Sequence, residues 1–159
     1  MLEKPKTLLL DARNGGRSSE DPAVGLAQIA RRGRCWVREQ RALFRPSCRS
    51  LSLAEIRAYE PQFSSSFLRQ VRVGVVARLP LPPPHCPTTV HLLQDLLDFS
   101  GVEALTLADT VLLSRARMPP PARITLLLFH ELVHALQFHH LGLSRFLSAY
   151  MDGWVKHRY

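Results

Sequence analysis

The stretch "EALTLADTVLLSRARMPPPARITLLLFHELVHALQFHH", residues 103–140, carries the two patterns that decide the fold. Apolar side chains recur at every second position, at Leu105 and Leu107 and again at Val111 and Leu113. That is the period of strands with one face buried. Ala108-Asp109 between them fits a tight turn, so the two runs are expected to pair as a hairpin whose second strand covers about 110–115. "MPPPAR" ends the pattern, because proline has no N–H to give to a ladder. From Pro121 to about His140 nothing breaks a helix, and the leading proline suits a first turn.

That helix sets His130 and His134 four residues apart on one face, with Cβ atoms about 6 Å apart. Two imidazoles so spaced can hold one Zn²⁺, each nitrogen at about 2.0–2.1 Å. Glu131 lies one step round the helix, where it can accept a proton from a metal-bound water as that water attacks a carbonyl. The three residues form the HExxH arrangement. A polar triplet in a leucine-rich helix is costly to bury without a partner, and a metal ion supplies one. The competing reading is a helix whose histidines are half-exposed and hold nothing.

A catalytic zinc takes a third protein ligand. His140 follows His134 at the six-residue spacing of HExxHxxGxxH enzymes, but Gln137 stands where those have glycine. In an unbroken helix His139 and His140 turn more than about 100° from the pair and suit the last turn before Gly142. Asp152 is the only acidic residue after Glu131. Gly142 is expected to end the first helix and Ser144 to cap a second, "RFLSAYMDGWVKH". Eight residues rise about 12 Å each way, so antiparallel packing would return Asp152 to the level of His134. Asp152 is therefore the expected third ligand and His140 the alternative, against an unpaired surface aspartate. Tyr150 either donates to a developing oxyanion or simply packs.

Upstream, "RNGGRSSEDP" suggests a mobile lead-in, and Asp21-Pro22 resembles the start of a helix over 22–42. Ser52 with Glu55 predicts a capping box and a short helix ending before Pro61. "FLRQVRVGVVARL" predicts a strand from about 70 to 78. "LPLPPPHCP" reads as an extended linker. "VHLLQDLLDF" reads as a helix capped by Thr88 or Thr89, in which His91 has no local partner.

At 159 residues, 46% hydrophobic and 21% charged, the chain suits a single soluble globular domain. Its formal charge of +8 owes much to Arg31, Arg32, Arg34, Arg38, Arg41, Arg45 and Arg49. No aromatic-interleaved or named motif accompanies them, so a solvated basic face is expected rather than a nucleic-acid site. Residues 1–50 therefore read as a basic, partly mobile segment and 51–159 as the metal-binding domain. The three cysteines form no CxxC pair, which argues against a disulfide framework and for a reducing compartment. The N-terminal apolar run is shorter than the roughly 7–15 residues of a secretory h-region, and no window reaches the ~18 of a membrane span. A cytoplasmic protein without signal peptide or membrane span is expected, with signal-less export left open.

Over 103–159 the sequence resembles small bacterial zincin-like domains, metallopeptidases by motif and of unknown function, some attached to toxin or injection-system cargo. The resemblance rests on a hairpin, a short loop, a helix with HELxHxxQ, then "LG", a phenylalanine and a tyrosine, and HELVHALQ is its specific part. It implies an α+β, minimal zincin-like fold with the hairpin ahead of the HExxH helix and a second helix after it. It further implies His130 and His134 as zinc ligands, Glu131 as base, and a peptide or protein substrate lying along the hairpin's second strand as an edge. Such domains take their third ligand from a glutamate a little beyond the second helix, and no glutamate follows Glu131 here. Asp152 or a histidine substitutes, the chain is a truncated form, or catalysis has been lost. The expected function is zinc-dependent peptide-bond hydrolysis. The alternatives are an inactive zinc-binding module acting in binding or structure, and a basic nucleic-acid-binding protein with an incidental HExxH.

Overall fold

A computed structural model describes residues 22–80 and 101–157, with side chains over 31–80 and 101–150 and Gly153 beyond. The lead-in, Asp21, the proline linker, the helix expected at 90–99 with its threonine cap, and the side chain of Asp152 lie outside the described residues. The architecture is α+β. Helix α1 spans Pro22–Phe44, α2 Leu53–Tyr59, α3 Ser65–Gln70 and α4 Pro121–His157. Strands β1 (Arg49–Ser50), β2 (Arg72–Val76), β3 (Ala104–Leu107) and β4 (Thr110–Ser114) form one mixed sheet in the order β1-β2-β4-β3.

The hairpin forms by the expected alternation. Leu105 and Leu107 face one side of the sheet, where they pack with Val37, Leu79 and Leu112. Ala104, Val111 and Leu113 face the other, against Leu128, Leu132 and Ala135 of α4. One face is thus covered by α1 together with Leu143 and Leu147 of α4, and the other by α2, α3 and the earlier part of α4. Residues 22–50 share in this core through Val37, which is buried, and through Trp36 and Phe44 packed beside it.

One implied feature is corrected. The hairpin's second strand, β4, is not an edge. It lies inside the sheet, parallel to β2 through Val73↔Val111 and antiparallel to β3 through Thr106↔Val111. Its five residues are all buried, as suits a strand paired on both sides, with Val111, Leu112 and Leu113 as its apolar centre. Among the described residues the free edge beside α4 is β3.

The strand expected from about 70 begins at Arg72, because a helix takes its first residues. The Ser64 hydroxyl accepts from Phe67 N at 3.3 Å and starts α3, which buries Phe67 and Leu68. The Ser52–Glu55 capping box is present as expected.

Gly142 divides α4 into two limbs at φ 71°, a left-handed conformation that side chains avoid. The limbs fold back on each other. Phe138 and Phe146, each four residues from the glycine, bring their ring centroids to 3.9 Å. Eight residues out on either side, His134 and Tyr150 stand 6.3 Å apart, edge to face. The residue facing His134 across the hairpin is therefore Tyr150, two positions before Asp152.

Candidate metal centre

The first limb of α4 buries Leu128, Leu132, Ala135 and Phe138, a stripe at the spacing of one helix face. Phe129 anchors the adjoining face against Tyr59 and Phe63, and the Tyr59 hydroxyl donates to the Thr125 carbonyl at 2.9 Å. So fixed, the helix presents His130 and His134 outward and Glu131 inward. His130 is exposed, His134 half-buried, and Glu131 only 6% exposed.

The two imidazoles meet edge to face with ring centroids 4.6 Å apart, and their Nε2 atoms are 3.0 Å from each other. Two nitrogens on one tetrahedral zinc at about 2.05 Å would be ~3.3 Å apart. The pair is thus within a few tenths of an ångström of the spacing at which both lone pairs reach one ion. His134 Nδ1 lies 3.0 Å from Gln137 Oε1. An amide oxygen only accepts, so Nδ1 is the nitrogen that donates here, and Nε2 is the one turned toward His130. Histidines that ligate a metal are commonly oriented by an outer hydrogen bond of this kind.

Glu131 is held differently. The Thr106 hydroxyl on β3 donates to Oε2 at 2.6 Å, with the Glu131 carbonyl also near at 3.2 Å. No hydrogen bond engages Oε1, and no buried side-chain oxygen among the described residues lacks a partner, so Oε1 keeps contact with solvent. One carboxylate oxygen is pinned and the other is free to take a proton.

The structure does not bring His140 to the pair. The helix runs unbroken to Leu141, and exposed His140 lies beside His139, ring centroids 5.4 Å apart. His139 itself packs on Phe67 at 5.9 Å. Among the described residues no three His, Cys, Asp or Glu side chains converge on one point. Two of the described donors fit a metal ion.

Thr106 and Gln137 are the residues that sequence reasoning passed over. Gln137 was visible as a hydrogen-bonding neighbour three residues after His134. Thr106 is the polar member of an otherwise apolar inward face, Ala104 and Val111 being its neighbours on that side. No protein-family model, curated protein or solved structure matches this chain. No helix among the described residues is long and apolar enough to cross a membrane.

Proposed function

We propose that this chain is a zinc-dependent hydrolase of peptide bonds, of the minimal zincin-like kind, with His130 and His134 as metal ligands and Glu131 as general base. The observation that carries the reading is the approach of the two Nε2 atoms to 3.0 Å, with the Gln137 amide oxygen beside the other ring nitrogen of His134. His130 and His134 would hold the ion through Nε2. A bound Zn²⁺ would polarise the scissile carbonyl and bring the pKa of water to about 7. Glu131 accepts the water proton at Oε1 while Thr106 keeps Oε2 from rotating into the site. The carboxylic acid so formed then returns the proton to the leaving amine. Tyr150, whose ring stands beside His134, would donate to the oxyanion.

Glu131→Gln preserves shape and removes the base. On a mixed peptide library it is expected to retain zinc and to lose about a hundred- to ten-thousand-fold in turnover. A second reading is a zinc-binding module without catalysis. It stands in place of the first if zinc-loaded wild type leaves the library uncut.

A further inference from the structure

The arginines of α1 are not scattered. Arg31, Arg34, Arg38 and Arg41 follow one another at spacings of three, four and three residues. On a helix this puts them within an arc of about 80°, as a straight ridge some 15 Å long. Arg45 follows just past the helix end. The lower end of the ridge already holds a carboxylate. Arg41 donates through Nε and a terminal nitrogen to the two oxygens of Asp109 at 2.6 and 2.7 Å, and Arg45 Nε reaches both at 3.3 Å. Arg31, Arg34 and Arg38 continue the row, and among the described residues they take part in no hydrogen bond or ion pair. Arg31 and Arg38 are exposed and Arg34 is partly so.

We infer that this ridge is a docking surface for an acidic helical segment of a partner protein, whose carboxylates extend the row that Asp109 begins. Charge complementarity is one support. Register is another, because carboxylates at three- and four-residue spacing on a helix repeat at the same ~5 Å step as the guanidinium groups. The third is chemical. The Arg41–Asp109 fork shows the ridge gripping a carboxylate through two parallel donors. Nucleic acid fits less well, because the aromatics Trp36 and Phe44 pack against the core around Val37 and give bases nothing on the ridge to stack on.

The test is fluorescence anisotropy with a labelled helical peptide bearing four glutamates at three-four-three spacing. A peptide of the same composition with its glutamates dispersed, a DNA duplex and phosphatidylserine vesicles are run beside it. Wild type is expected to bind the patterned peptide several-fold tighter than the dispersed one, and tighter than duplex or vesicle. Arg31→Glu/Arg34→Glu/Arg38→Glu, which leaves the Asp109 clamp intact, is expected to weaken it about tenfold without lowering the melting temperature. Equal binding by variant and wild type, no binding, no preference for the pattern, or a preference for duplex or vesicle would each overturn the inference. The triple variant is also expected to keep zinc and turnover, so this result is independent of the proposed chemistry.

Discussion

Two acidic side chains of this fold are anchored by the same hairpin, and they are treated in opposite ways. Asp109, at the turn, is saturated. Two arginines from outside the hairpin and the neighbouring Thr110 hydroxyl all donate to it. Burial pushes its carboxyl up, but the hydrogen bonds from Arg41 and Arg45 outweigh that and hold it below the usual carboxylate range. It pins a turn in which Ala108 sits at φ 60°, a conformation an L-residue adopts at a cost of about 1 kcal/mol. Glu131, more deeply buried, has one hydroxyl donor and one free oxygen. A group that holds a turn together has its acceptor sites filled, whereas the one proposed to take a proton keeps one open.

Beyond Glu131→Gln, the strongest strain on that contrast comes from Thr106→Val, which removes the one donor to Glu131 and keeps the shape. Turnover on the peptide substrate is expected to fall about tenfold with zinc content unchanged. An unchanged rate would make Thr106 a packing residue and weaken the case for a positioned base. Asp109→Asn should behave the other way, leaving turnover intact and costing about 1 kcal/mol of stability, discounted because the pair is partly solvated. Chemical denaturation at neutral pH measures it.

The smallest effect sharpens the same point in acid. Asp109 and Glu55 both have lowered folded-state values, Glu55 to about 2 through its hydrogen bond from Arg49, with the Ser52 cap adding to it. A lowered carboxylate stabilises the fold above its unfolded value near 4 and loses that contribution as pH falls through the folded value. Stability should therefore decline between about pH 4.5 and 2, by a few tenths of a kcal/mol for the exposed Glu55 pair. As pH falls below the unfolded carboxylate value, the gap between wild type and Asp109→Asn should narrow. A constant gap would show that charge plays no part in the clamp.

Much of this was legible because it is local. The hairpin follows from alternation around Ala108-Asp109, the Ser52–Glu55 cap from a four-residue pattern, and the break at Gly142 from the glycine itself. What escaped depends on contacts distant in sequence. That β4 is interior rather than an edge is decided by its pairing with β2, more than thirty residues upstream. That Arg41 and Arg45 hold the turn needs a helix more than sixty residues away to lie across the sheet. At the site, the pairing of His130 with His134 follows from helix period alone. The inward turn of Glu131 toward Thr106 does not, because it requires knowing which strand covers the helix. The side chain of Asp152 lies outside the described residues, and the ring that meets His134 from the second limb is that of Tyr150.

The central claim is that two imidazoles one turn apart share a single cation, and zinc analysis of the purified protein beside His134→Ala tests it most directly. The account predicts close to one zinc per chain for the wild type and almost none for the variant, with both folded by circular dichroism. A folded wild type without zinc, or a variant that binds as much as the parent, would contradict it.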